Sequence, residues 1–332
     1  LQKPEIFYHF SYSLSDKEAK KGRDMSLSSY LSPTRLLEGY IRRCLTAAGL
    51  TSQTLSIDSE TNIHFWGPSP LQRIDDDDRP VMLLLHGFGP SAMWQWRRQI
   101  QAFSPSFFRL YCPDLVFFGD STTSSTNRSE VFQAECMAKL MEKIGIEKFH
   151  VVGTSYGGFV AYHMAKMWPE KVEKVVIASS GVNMRKCDGE SLLQRSNCEC
   201  IEKVMLPSTA TELRTLMCLA SCWRIVRMFP DALWNDIITN LYQKNRKEKI
   251  ELLKGVTIGK EEKLNIDPLS QEVLIIWGDK DQIFPVKMAY ELKEVLGDKT
   301  KLEIIKNTSH VPQIECAQEF NKIVLRFLKG SE

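Results

Sequence analysis

The chain has 332 residues, with 43 Lys and Arg against 41 Asp and Glu, a net charge of +2, 43% hydrophobic residues and 25% charged residues. That length suits two small domains or one α/β domain with an insertion, and the composition is ordinary for a globular protein. The near-neutral balance, with no basic stripe carrying interleaved aromatics, argues against a nucleic-acid partner, and no run of 18 or more apolar residues marks a membrane span.

Residues 1–28 are polar and irregular, and their charge run from Asp16 to Arg23 reads as a mobile arm. From Ser32-Pro33 to Gly49, Leu36, Leu37, Tyr40, Ile41, Leu45 and Ala48 recur at helical spacing, with proline in the first turn and glycine at the stop. This helix is expected to pack on the core, with peripheral contact to a membrane surface as the alternative. Gln53–Asp58 and Asn62–Trp66 read as an antiparallel entry hairpin, and Asp75–Asp78 as a solvated acidic loop.

Strands and helices then alternate: strand 81–86, helix 92–103, strand 108–112, helix 129–144, strand 149–154, helix 157–168 and strand 172–178. This alternation implies a mostly parallel sheet with helices on both faces. It breaks at Ser179-Ser180-Gly181. Residues 183–268 have helical periodicity without a convincing strand, as a helical lid would. The sheet resumes with strand 273–277, helix 285–296, strand 301–305 and helix 313–328. The expected divisions are an N-terminal arm and helix (1–50), a first part of the core (51–182), the lid (183–268) and a second part of the core (269–332).

Gly153-Thr154-Ser155-Tyr156-Gly157 ends the strand that begins Phe149-His150-Val151-Val152, and a helix follows at once. This is the layout of a nucleophile elbow, in which glycines admit a turn so sharp that the Ser155 hydroxyl stands above the sheet. A serine needs a base, and the base needs an orienting acid. Of the six histidines, His310 is the best placed, in the polar loop Asn307–Pro312 after a strand. His163 lies two turns into the helix after Ser155 and is carried away from it, while His150 begins a buried strand. Asp279 and Asp281 both follow the apolar run Val273–Trp277. Asp281 is the better acid, since the turn brings it back toward the histidine loop, and Asp279 is better suited to bonding backbone in that turn. The order Ser155, Asp281, His310 has intervals of about 125 and 30 residues.

Val81–Leu85 runs into His86-Gly87-Phe88-Gly89. An acyl-transfer oxyanion wants two rigid N–H donors, and the amides of Phe88 and Tyr156 are the candidates, with His86 tying the loop together. The nine cysteines include no C-x-x-C pair, and no histidine completes a metal site beside Cys187, Cys198 and Cys200. Reduced thiols and a cytoplasmic location are the expectation, with an oxidised lid pair as the alternative in a secreted protein. Neither a metal nor another cofactor is implied. The sequence starts at Leu1, so a targeting segment upstream stays open, and Asn127-Arg128-Ser129 and Asn307-Thr308-Ser309 are read as chance matches to the glycosylation pattern.

Four motifs now stand in order: Leu85–Gly89, Pro113-Asp114 through Gly119-Asp120-Ser121, the Ser155 elbow, and Trp277-Gly278 through Asp281 with His310. On these the chain resembles the α/β-hydrolase superfamily over roughly residues 55–330. Asp114–Ser121, Phe132–Ala138 and Gly153–Gly158 look like a plant branch of it, similar to monoacylglycerol lipases and to C–C bond hydrolases of aromatic ring degradation. The resemblance implies an α/β-hydrolase fold and a Ser155–His310–Asp281 triad. Two departures stand out. Phe117 occupies a place where the superfamily often has glycine, and is expected to line the pocket. Val311 follows His310 where the C–C hydrolases usually have tryptophan. The lid is rich in Trp, Met and Leu, with Leu233, Trp234, Ile237, Ile238 and Leu241 on one helical face and Trp223, Ile225, Val226, Met228 and Phe229 before them. That suggests an apolar acyl pocket, with Trp223 and Trp234 contributing.

The leading expectation is therefore a serine hydrolase of a carboxylic ester with a hydrophobic acyl group, its substrate a small molecule. The alternatives are a C–C bond hydrolase of vinylogous diketones, or a ligand receptor on a hydrolase scaffold.

Overall fold

A computed structural model describes residues 32–69, 78–104, 106–264 and 266–330. The arm, its charge run and most of the acidic loop at 75–78 lie outside the described residues. Helix α1 (Pro33–Ala47) is started by Ser32, whose hydroxyl accepts the Arg35 amide at 3.2 Å. Its apolar stripe divides: Ile41 and Leu45 are buried, while Leu36, Leu37 and Tyr40 are exposed. Strands β1 (Leu50–Ser56) and β2 (Thr61–Pro68) form the entry hairpin, paired antiparallel from Leu50 opposite Pro68 to Ser56 opposite Asn62.

The core continues through β3 (Val81–Leu85), α2 (Ala92–Phe103), β4 (Arg109–Pro113), β5 (Thr122–Thr123), α3 (Glu130–Lys143), β6 (Phe149–Thr154), α4 (Tyr156–Met167) and β7 (Val172–Ala178). A helical insertion follows: α5 (Lys186–Ser196), α6 (Ile201–Met205), α7 (Ala210–Ala220), a short 3₁₀ turn (Arg224–Met228), α8 (Asp231–Ile237), a π turn (Ile238–Tyr242) and α9 (Arg246–Gly255). No strand occurs among the described residues of 183–268. The chain returns to the sheet with β8 (Glu272–Gly278), α10 (Lys287–Leu296), β9 (Thr300–Ile305), α11 (Pro312–Glu315) and α12 (Ala317–Lys329). Two elements depart from the sequence reading. The helix expected at 313–328 breaks at Cys316, whose φ of −127° and ψ of 50° are not helical. The two-residue β5, too short to leave a periodic signal, pairs with β2.

The strands lie in the order β1-β2-β4-β3-β6-β7-β8-β9. The hairpin and the β2–β4 pair are antiparallel, and every pair from β4 to β9 is parallel. Alternation along the parallel strands builds two cores. Leu83, Leu85, Val151, Ile177, Ile275 and Trp277 face α3, α4, α10 and the insertion. Met82, Leu84, Val152, Val176, Leu274 and Ile276 face α1, α2 and α12. Because the central strands are parallel, β3, β6, β8 and β9 end at one edge, where α/β sheets present their chemistry. No helix among the described residues is long and apolar enough to cross a membrane.

Candidate active site

Ser155 stands between β6 and α4 with φ 52° and ψ −121°, a strained conformation for a residue with a side chain. The surroundings hold it there. Its amide donates to the Ala178 carbonyl at 2.9 Å, and its carbonyl accepts the Gly158 amide at 2.9 Å and the Ser180 hydroxyl at 2.6 Å. A Cβ on Gly157 would collide with the Leu85 and His86 carbonyls, and one on Gly153 with the Gly157 carbonyl. The elbow glycines are thus required by the close approach of the first helical turn to β3.

His310 is brought over the elbow by the loop after β9. Its Nε2 lies 3.0 Å from Ser155 Oγ, and its Nδ1 lies 2.9 Å from Asp281 Oδ2. The other oxygen of Asp281 accepts the amides of Ile283 and Phe284, both at 2.9 Å, so the carboxylate is fixed from both sides. The three residues are 7%, 6% and 5% exposed in the order Ser155, His310, Asp281, so solvent hardly reaches them. Gly278 lets the two loops meet, since a Cβ there would strike the Thr308 and Ser309 carbonyls. Asp279 takes the backbone position, its Oδ1 accepting the Thr308 amide at 3.3 Å.

Opposite the elbow, the Gly87 amide donates to Gln95 Oε1 at 2.8 Å, and Nε2 of His86 accepts the Leu115 amide at 3.0 Å. Nδ1 of His86 is 2.7 Å from the Gly87 carbonyl. Accepting at Nε2 requires a neutral ring that donates from Nδ1, and burial lowers the His86 pKa in the same sense. Tyr156 is the first residue of α4, so its amide has no acceptor within the helix. The Phe88 amide also makes no hydrogen bond among the described residues.

Rings enclose this space. Phe88 meets Phe118 with centroids 5.1 Å apart and Tyr156 at 5.7 Å; Tyr156 meets Phe159 at 6.0 Å, Phe159 meets Phe284 at 6.2 Å, and Phe284 meets His310 at 5.5 Å. Phe117 makes none of these ring contacts. It has φ 73°, its ring lies 4.5 Å under the Arg128 guanidinium, and its carbonyl accepts Asn245 Nδ2 at 3.0 Å. The turn at Phe117 instead delivers its neighbour Phe118 to the aromatic wall. Trp234 is buried in the insertion, with its ring 5.5 Å from Phe229, whereas Trp223 is 44% exposed at the surface. His163 sits 3.8 Å from Glu130, away from the elbow, and His64 bonds Asp114 at 2.8 Å.

Sequence reasoning passed over four further residues here: Gln95, Phe118, Ser180 and Glu315. Glu315 binds the Ser309 amide at 2.6 Å through Oε2, and the Ser221 hydroxyl at 2.7 Å and Cys222 amide at 2.6 Å through Oε1. It therefore ties the histidine loop to the end of α7. Gln95, Ser180 and Glu315 sit outside the four motifs, and Ser180 and Glu315 meet partners far away in sequence. The doubled aromatic at Phe117-Phe118 gives a signal in the sequence, and Phe118 is the member that meets Phe88 and Tyr156.

A family profile described as the alpha/beta hydrolase fold matches residues 80–196. The 2-hydroxy-6-oxononadienedioate/2-hydroxy-6-oxononatrienedioate hydrolase of Klebsiella pneumoniae is 26% identical over 262 residues, covering 76% of this chain and 88% of that protein. Among solved structures, a bacterial membrane phospholipase A superposes with a TM-score of 0.72 at 23% identity, covering 91% of this chain and 93% of its own. The meta-cleavage product hydrolase of Pseudomonas fluorescens IP01 superposes with a TM-score of 0.66 at 24% identity, covering 86% of this chain and 100% of its own. At these identities the structural likenesses speak to the fold.

Proposed function

Since the chain belongs to the α/β-hydrolase superfamily, we propose that it is a serine-dependent hydrolase in which Ser155, His310 and Asp281 act as a triad. The observation that carries this reading is the continuous run of contacts from Asp281 Oδ2 to His310 Nδ1 and from His310 Nε2 to Ser155 Oγ. In the first step His310 takes the Ser155 proton as Oγ attacks a carbonyl carbon. The Phe88 and Tyr156 amides receive the oxyanion, each donor in such a site being worth about 2.7–4 kcal/mol. His310 then returns the proton to the leaving group, and water releases the acyl-enzyme by the same steps. In this reading the helical insertion is the lid, and the ring wall from Phe88 to Phe284 holds the apolar part of the substrate.

The sequence placed ester cleavage first. The similarity to hydrolases of 2-hydroxy-6-oxononadienedioate moves C–C bond cleavage ahead of it. The same attack on a ketone carbonyl breaks a C–C bond when the departing carbanion is delocalised into a conjugated carbonyl, as in a vinylogous diketone. The ester reading keeps one favourable feature, Val311 beside His310 where tryptophan usually stands in C–C hydrolases.

A fluorophosphonate probe and two substrate panels test this. Labelling of the wild type that is lost in Ser155→Ala supports the nucleophile. Faster turnover of a 2-hydroxy-6-oxo dienoate than of p-nitrophenyl esters supports C–C cleavage, and the reverse order restores the ester. Folded protein that neither labels nor turns over either panel overturns the hydrolase reading in favour of a ligand receptor.

A further inference from the structure

We infer that a cavity at the seam between the helical insertion and the core is a binding site for a small oxyanion, a carboxylate or phosphate group received by Lys249. The cavity encloses about 140 Å³ and draws its walls from α1, β2, the start of α2, the loop after β4 and the insertion. Neither Ser155, Asp281 nor His310 lines it.

Among the described residues, the charged side chains that line the cavity are paired except one. Arg42 bonds Glu38 at 2.8 Å, and Lys244 bonds Asp120 at 2.5 Å. Asp114 is 3% exposed and holds three donors: His64 Nδ1 at 2.8 Å, the Ala92 amide at 2.8 Å and the Asp120 amide at 3.3 Å. Each carboxylate on the wall therefore has its own partner. Lys249 does not. It is 2% exposed, no hydrogen bond or ion pair among the described residues holds its ammonium, and the Phe118 ring lies 5.1 Å from Nζ. Burial, with the charges of Lys244 and Arg246 and against that of Asp114, pushes the amine down to about 8, so it is still mainly a cation at neutral pH. A buried ammonium that no carboxylate bonds directly is costly, and a cavity beside it is where an anion fits. An oxyanion there completes the set of pairs and joins α9 to the core. It also rests behind Phe118, whose other neighbours are Phe88 and Tyr156.

The test uses the full chain at constant ionic strength, titrated with orthophosphate, acetate or glycerol 3-phosphate while Tm is followed. The expected result is a saturable rise with at least one of these anions, with apparent affinity weakened about tenfold or more in Lys249→Met, the loss of one charge-assisted bond. A response to orthophosphate or acetate assigns the site to the free ion. A response to glycerol 3-phosphate alone assigns it to a phosphate carried on a larger molecule. In the wild type, the responding anion should also slow acylation of Lys249 by N-hydroxysuccinimidyl acetate, read by peptide mass spectrometry, which decides the matter even where Lys249→Met does not fold. No saturable response to any of the three, a response that Lys249→Met retains unchanged, or unaltered acylation of Lys249 overturns the assignment.

Discussion

His310 meets Asp281 through Nδ1 at 2.9 Å, and Asp281 is in turn pinned by two amides from its own turn. An acceptor-only carboxylate at that place forces Nδ1 to donate, which leaves Nε2 free to accept the Ser155 proton. Asp281→Asn keeps the shape but can offer its NH₂ to Nδ1, and that reverses the tautomer. The expected outcome is a fall in kcat of about 10⁴-fold with little change in Tm. A fall of less than tenfold in steady-state turnover would show that Asp281 does not orient the base.

Ser180 donates to the carbonyl of Ser155 at 2.6 Å, the carbonyl of the strained elbow residue. In Ser180→Ala the Gly158 amide still serves that carbonyl. The loss is therefore expected to stay near 1 kcal/mol of unfolding free energy, measured in urea. The rate of fluorophosphonate labelling should fall with it, because the elbow loses one of the contacts that hold φ positive. An unchanged labelling rate would separate Ser180 from the nucleophile.

Glu130 begins α3 and faces the segment after α9, where the Thr257 and Ile258 amides donate to it at 3.0–3.1 Å. Burial acts to raise its pKa, but the nearby His163, the Thr257 hydroxyl and the backbone amides of Glu130 and Thr257 outweigh it and hold the carboxyl at about 2. A carboxylate whose folded pKa is depressed stabilises the protein above its unfolded value near 4.5 and loses that stabilisation as pH falls from there to about 2. The shift corresponds to roughly 3 kcal/mol. Glu130→Gln should be less stable than the wild type at pH 7 by a similar order, and its chemical-denaturation curves should lose much of their acid dependence between pH 4.5 and 2. Parallel pH dependences in the two proteins would refute the role.

What could be read from the sequence divides along physical lines. Val81–Leu85, Phe149–Thr154 and Glu272–Gly278 are strands buried along nearly their whole length, so continuous apolar runs betray them. The elbow announces itself because only glycine fits at Gly153 and Gly157, and Asp281 because it follows Gly278 where two loops touch. The pattern failed where a residue's fate depends on what covers it. Leu36 and Tyr40 share a helical stripe with Ile41 and Leu45, yet only the latter two meet the core. Trp223 and Trp234 are equally apolar in sequence, but one lies at the surface and the other inside. Lys249 gave no signal, because the pairing of Asp114 with His64 and of Asp120 with Lys244, which leaves it unbonded among the described residues, is tertiary.

Glu315 connects the two parts that must cooperate in the proposed reaction. Its carboxylate takes the Ser309 amide, next to His310, and the Ser221 hydroxyl and Cys222 amide at the end of α7. Movement of the insertion that opened a path to the buried Ser155 would thus pull on the histidine loop. In Glu315→Ala three donors lose a charged acceptor, bonds of a kind worth about 1.5–3 kcal/mol each where they are well shielded. The Ser221 hydroxyl and the Cys222 amide lie close to solvent, so the net effect should sit at the low end. A tenfold fall in kcat is expected, with amide hydrogen exchange quickening together at 219–223 and 307–311. Glu315→Gln, which keeps acceptor oxygen but no charge, should fall between the variant and the wild type. Faster exchange at 219–223 alone, with kcat unchanged, would mean that Glu315 anchors the insertion without positioning His310.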